Sequence, residues 1–206
     1  MTDDPTTRLA EMADRLEIQE LVRRERFARD QRHWDVMREC FHPDARIRTS
    51  WYDGTAEDYI PATQRLMETS PHGKHWVLSG YVTINGDRAT VESPASIFNR
   101  LHLNEVEVDY FVYCRFHSRV ERRAGRWRLS SFDVLWERDV LRPLDPSAPV
   151  PVPAQDLARF RPSYRFLAYI QDSRGYRVRD DLPGDDRPEI LIAFYADADA
   201  WRDATD

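Results

Sequence analysis

From about residue 74 to residue 136 the chain reads as strand after strand joined by tight turns, and so much antiparallel meander must find something to cover one face of the sheet it makes. Residues 75 to 84 have the composition of one strand, Asn85-Gly86 is a strong hairpin turn, and residues 88 to 99 make the next strand. After a loop around Leu101 to Asn104, Glu105 to Glu121 forms a long strand, Ala124-Gly125 turns it, and Arg126 to Trp136 returns. The cover lies upstream. Leu9, Met12, Ala13, Leu16, Ile18, Leu21, Val22 and Phe27 recur at three- and four-residue steps and predict one long helix from about residue 7 to residue 30. His33 to Phe41 predicts a short second helix with Trp34, Met37, Cys40 and Phe41 on its buried side, stopped by His42-Pro43-Asp44. Arg46 to Tyr52 alternates Ile47, Thr49 and Trp51 against Arg46, Arg48, Ser50 and Tyr52, a period of two that predicts a strand closed by Asp53-Gly54. Thr55-Ala56-Glu57-Asp58 has capping-box spacing, with aspartate for the usual glutamate, and opens a third helix running to about Glu68. Helices followed by long strands make an α+β protein in which a curved sheet wraps around helices and encloses a pocket.

The 206 residues suffice for one core of about 150 residues plus an appendage. Residues 1–142 are expected to form the main domain. Residues 143–206 are expected to form a connector, stiffened by Pro143, Pro146, Pro149, Pro151 and Pro153, and a helical extension. In that extension Tyr164 to about Ser173 reads as helix, and Asp186 sits as an N-cap ahead of a helix striped by Ile190, Phe194 and Trp201. Its Phe166, Leu167, Tyr169 and Ile170 would not be left in water, so the tail should dock over the pocket's mouth or on a neighbouring subunit.

Composition narrows the partners. A net charge of -6, with the basic residues of Arg115 to Arg128 interleaved with acids and aromatics, argues for a solvated sheet face and against nucleic acid. No apolar run reaches the roughly 20 residues of a membrane span, and Met-Thr-Asp-Asp-Pro lacks the order of a secretory signal, so a cytoplasmic protein is expected, with Cys40 and Cys114 as buried free thiols. Glycine-rich phosphate loops and G-x-S-x-G elbows are absent from a chain with seven glycines, which argues against a nucleotide cofactor. His72 and His75 have H-x-x-H spacing but fall on a loop and a strand, where residues three apart face opposite ways; His33, His42, His102 and His117 are scattered. No metal and no other cofactor is expected.

Asp30, near the end of the first helix, and His75, near the start of a strand, carry the chemistry. Residue type alone leaves open a helix-end charge and an ordinary core histidine. If they meet, the aspartate holds one imidazole nitrogen and the other is free to take a proton. The long helix ending in Asp30, the stretch Arg32-His33-Trp34-Asp35 through Cys40-Phe41-His42-Pro43-Asp44-Ala45, Lys74-His75-Trp76 and the hairpin Gly125-Arg126-Trp127 together resemble the SnoaL-like branch of the NTF2-like superfamily over residues 9 to 142. Its enzymes include scytalone dehydratase, the hexachlorocyclohexane dehydrochlorinase and the bile-acid 7α-dehydratase. The resemblance implies a cone-shaped fold and a catalytic dyad of Asp30 and His75. It also exposes departures. Several members carry a tyrosine or lysine five residues before the dyad aspartate, where this chain has Glu25, and scytalone dehydratase has a tyrosine just before it, where this chain has Arg29.

Glu25 could serve as a second acid or base or pair with Asp30. Strand parity offers Arg48 and Tyr52, Tyr113 on the long strand, and Tyr59 on the third helix, as groups to steady a developing oxyanion or leaving group. The expected function is a cofactor-independent lyase on a small aromatic or polycyclic hydroxylated substrate, with dehydration leading and carbon–carbon cleavage releasing a small aldehyde as its competitor. A non-catalytic ligand-binding or assembly module remains open. A homo-oligomer, dimer or trimer, is expected through the sheet's open outer face.

Overall fold

The computed structural model describes residues 4–69 and 73–204. The chain enters through α1 (Pro5–Gln31), opened by Asp4, whose carboxylate accepts the Thr6 amide, with proline in the first turn. Arg32, at φ +62°, ends it by turning its N–H back to the Ala28 and Arg29 carbonyls. The face α1 buries is not simply its apolar stripe. Ile18, Leu21 and Val22 are buried, but Leu9, Met12, Leu16 and Phe27 are exposed. At the helix's first turns the side that meets the sheet is chosen by Asp14, which accepts from the Trp127 indole (2.9 Å) and pairs with Arg122 (3.0 Å), and by Arg15, which donates to the Val82 carbonyl. The helix's last turns bury Glu25, Arg26, Arg29 and Asp30.

After α2 (Trp34–Glu39), β1 (Phe41–Arg48) and β2 (Asp53–Thr55) form a small antiparallel pair, and α3 (Ala56–Thr69) follows. Thr55 forms its half of the expected capping box: the Asp58 amide donates to Thr55 Oγ1 (3.2 Å), while the Asp58 carboxylate accepts that hydroxyl (3.0 Å). β1 starts earlier and ends earlier than its alternation predicted. It pairs in parallel with a later strand, with an irregularity between Phe41 and Arg46 that accommodates Pro43.

The remaining strands are β3 (Lys74–Val77), β4 (Tyr81–Asn85), β5 (Arg88–Leu103), β6 (Val106–Arg123) and β7 (Arg126–Pro143), in a seven-stranded sheet of order β2-β1-β7-β6-β5-β3, with β4 also on β5. The run expected as one strand over 75–84 is two, broken at Leu78-Ser79-Gly80. Gly80 is pressed onto β5 so closely that a Cβ would lie 2.5 Å from Ser93 Oγ and 2.6 Å from Val91 Cγ2. The loop expected near residues 101–104 is instead the end of β5, and Asn104 and Glu105 turn the chain at φ +46° and +69°. Ala124-Gly125 does the same at +51° and +73° as expected, so both turns have the left-handed backbone that matches strand twist. No described helix is long and apolar enough to cross a membrane.

Past α4 (Ala154–Leu157), a 3-10 turn (Pro162–Tyr164) leads into α5 (Arg165–Asp172). Asp139 of β7 accepts the Leu167 amide (2.8 Å), fixing the start of α5 above the concave side of the sheet. The chain then uses the edge of β7 that β1 leaves free beyond Asp133. Trp136 donates to the Pro183 carbonyl (3.0 Å) and its own carbonyl accepts the Asp185 amide (2.9 Å). Gly184 sits between them, where a Cβ would be 3.0 Å from the Trp136 oxygen. From there α6 (Pro188–Asp203) lies on the opposite face, over β5, with Phe194 against His117 (4.9 Å) and Tyr195 donating to Glu92 (2.8 Å). That outer face was expected to stand open. Asp186 is not the cap of α6: Arg187 holds that place with no side-chain bond, because the Asp186 carboxylate accepts from Arg161 and Ser163 (both 2.7 Å).

Candidate active site

The end of α1 and the start of β3 are tied together by one carboxylate. Asp30 Oδ2 accepts the His75 backbone N–H (2.8 Å), and its Oδ1 lies 2.8 Å from His75 Nδ1. Lys74 reaches the Asp30 carbonyl (2.8 Å), so the first two residues of β3 clasp the last turn of the helix. Both dyad side chains are buried, His75 at 5% exposure and Asp30 at 8%. The strand sends His75 inward, 5.8 Å from the Phe116 ring, while Trp76 faces outward and packs on Phe98.

Burial is the largest influence on the imidazole and disfavours its charged form. The Arg29 guanidinium adds to this and Asp30 opposes it, and the result is a pKa lowered to about 3. Burial acts on Asp30 in the opposite sense, toward protonation, but the hydrogen bond from His75 and the charges of His75, Arg29 and Arg26 outweigh it and hold the carboxyl at about 2. At neutral pH the pair is therefore a carboxylate and a neutral imidazole whose Nδ1 carries the proton, assigned from its partner. Nε2 is left as the remaining nitrogen of a ring that lines a cavity.

That cavity, of about 150 Å³, lies between the helices and the concave face of the sheet. His75, Arg29, Tyr59, Phe116 and Phe132 line its floor and walls, and Leu167, Ile170 and Gln171 of α5 line it from the tail. Gln171 donates to Ser50 Oγ (2.9 Å), joining α5 to the loop after β1. Beneath Phe116 and Phe132, Arg26 stacks 4.5 Å from the Phe132 ring and is held by the Glu25 carboxylate at 2.6 and 2.7 Å. Arg29 donates from Nη1 to Asp30 Oδ1 (3.0 Å), whereas its Nε is buried without a partner, as are the Tyr110 hydroxyl and the Trp136 indole nitrogen.

The profile of the SnoaL-like domain matches residues 10–133. The chain belongs to the SnoaL-like domain family. Among curated proteins it is similar to Pea pathogenicity protein 2 of Fusarium vanettenii, 30% identical over 175 residues that span 83% of this chain and 75% of that one. Among solved structures it shares its fold with hexachlorocyclohexane dehydrochlorinase LinA-type3 of Novosphingobium barchaimii (TM-score 0.53, 19% identity, 70% of this chain and 99% of that one). An NTF2-like protein with a cystatin-like fold from Novosphingobium aromaticivorans aligns at TM-score 0.50 with 22% identity, over 73% of this chain and 96% of that one. The α+β cone with a curved mixed sheet is thus the NTF2-like, cystatin-like fold.

On this SnoaL-like scaffold the residues expected at the site divide sharply. Asp30 and His75 are brought together, and Tyr59 lines the same cavity. The other expected groups lie elsewhere. Glu25 is buried but engaged by Arg26 rather than by Asp30. Arg48 emerges on the outer face, paired with Asp133 (2.8 Å) beneath Phe194 of α6, because Ile47 takes the inward position of β1. Tyr52 packs between Trp51 and Tyr59 with its hydroxyl on the Thr55 carbonyl (2.7 Å), and Tyr113 is exposed under the Arg138 guanidinium. Arg26, Arg29, Tyr110, Trp136 and Gln171 were missed as lining. Arg29 had one signal, its place beside the dyad aspartate; Gln171 had none, since its role depends on where the tail lands. The described residues contain no group of three or more potential metal ligands, and His72 lies outside the described residues.

Proposed function

We propose that this SnoaL-like protein is a cofactor-independent lyase in which His75 is the general base and Asp30 orients it. The observation that carries the reading is the 2.8 Å contact between His75 Nδ1 and Asp30 Oδ1 in a ring that lines a cavity. A carboxylate fixed by the His75 amide as well as the ring cannot swing away, so it sets the tautomer and steadies the imidazolium that forms when Nε2 takes a proton. In a dehydration the carbon–hydrogen bond gives its proton to Nε2, its electron pair forms the new double bond, and the carbon–oxygen bond breaks. The proton then passes from the imidazolium to the departing hydroxyl, which leaves as water, and the base is neutral again.

The cavity fits a small substrate. A protein cavity of comparable size accommodates benzene, so a single substituted ring suits this one better than a polycycle. The aromatic and aliphatic lining favours such a ring, and the donors left by Tyr110 and Trp136 favour oxygen substituents on it. Carbon–carbon cleavage would use the same base.

The test is a screen of hydroxylated single-ring compounds for an ultraviolet change on turnover, repeated with His75→Ala and Asp30→Asn. Loss of about 10²–10⁴-fold in rate is expected for His75→Ala. A folded His75→Ala protein that turns over at the normal rate would refute the assignment.

A further inference from the structure

The buried side chains at the dyad balance in charge before any reaction begins, and Lys74 adds a cation at the Asp30 carbonyl outside them. Glu25 offsets Arg26, Asp30 offsets Arg29, and His75 is neutral. Moving a proton onto His75 adds a positive charge beside two arginines, while the substrate takes the matching negative charge, which in so enclosed a place needs a receiver. Three arginines line the cavity: Arg174 is exposed to solvent, and Arg26 is spoken for, its Nε and Nη2 both held by Glu25 and its face lying on aromatic rings. Arg29 is not. It is 7% exposed, it lines the cavity, and its Nε–H has no partner. Its Nη1 and the His75 ring share the same carboxylate oxygen of Asp30, at 3.0 and 2.8 Å, so base and guanidinium are fixed side by side. A guanidinium cannot give up its proton, which leaves it the task of holding an anion.

We propose that Arg29 receives the negative charge formed on the substrate, through Nε–H, and that the substrate is accordingly a single-ring carbon acid whose conjugate base carries its charge on oxygen, as an enolate or phenolate. The proposal rests on the reading of His75 as base and deepens it. The proton leaves carbon for His75 Nε2, the electron pair moves through the ring or carbonyl system to oxygen, and that oxygen lies against Arg29.

The probe is 4-nitrophenol, whose absorbance distinguishes phenol from phenolate. The wild-type protein is expected to bind the phenolate in preference to the phenol, and Arg29→Gln to lose about 10- to 100-fold in phenolate affinity, the range of a hydrogen bond to a charged group. Because Arg29→Gln also frees Asp30 and could unfold the site, Arg29→Lys is measured in parallel. It keeps the charge but not the forked donor, and a severalfold or greater loss is expected. His75→Gln should keep the phenolate preference, since the histidine does not create it. Binding of the neutral phenol, absence of binding, or affinity unchanged in folded Arg29→Lys would overturn the proposal and leave the base assignment standing. Full turnover by His75→Ala, with phenolate binding still dependent on Arg29, would remove the base and leave the anion site.

Discussion

An imidazole kept neutral and already bonded at one nitrogen behaves differently from a free histidine. With its pKa lowered to about 3, His75 does not titrate where histidines ordinarily do. Turnover is expected to stay flat from about pH 8 to about pH 5, with no inflection near 6.5, and a pH–rate profile of kcat/KM checks it. The same shift bears on stability. The unfolded chain takes up a proton on this residue below its ordinary 6.5, whereas the folded protein does so only near 3, so stability falls as pH drops through that window. Asp30 acts in the same direction lower down, its contribution being complete above 3.8 and lost as pH falls toward about 2. Urea midpoints of wild type and His75→Gln should therefore converge or cross as pH is lowered from 6.5 to 4, and parallel midpoints would contradict the neutral imidazole. Asp139 works in the opposite sense, since burial lifts it to about 6.

What could be read from the sequence, and what could not, is clearest in α1. Its length and its end at Asp30 follow from periodicity, but the stripe of Leu9, Met12 and Leu16 faces solvent while Glu25, Arg26, Arg29 and Asp30 are inside. Hydrophobic pattern treats charge as a mark of the surface, and two adjacent ion pairs that satisfy one another in the interior defeat that rule. Strand parity failed for a related reason. It identifies which residues share a face and leaves open which face is concave, so Arg48 and Tyr113 were assigned to the wrong side. The break between β3 and β4 was hidden because nothing local announces that Gly80 abuts β5. Gly80→Ala should cost about 1–3 kcal/mol, measured by chemical denaturation, since the added methyl meets both Ser93 and Val91. Thr55→Ala should cost about 1 kcal/mol by removing the cap of α3.

At the scale of the molecule, the segment after β7 does more than append helices. α5 supplies Leu167, Ile170 and Gln171 to the cavity, residues 183–185 occupy the free edge of β7, and α6 covers the back of the sheet around His117 and Asp133. Deleting residues 154–206 should bare apolar lining on both faces, raise the fluorescence of a hydrophobic dye and abolish turnover. A truncated protein that is dye-silent and active would show this segment to be dispensable. Because these residues follow every strand in the chain, the sheet and the dyad are encoded before the last wall of the cavity. The pocket is therefore completed by the final segment of the chain to be made, and a protein cut short anywhere beyond β7 keeps its base and loses its enclosure.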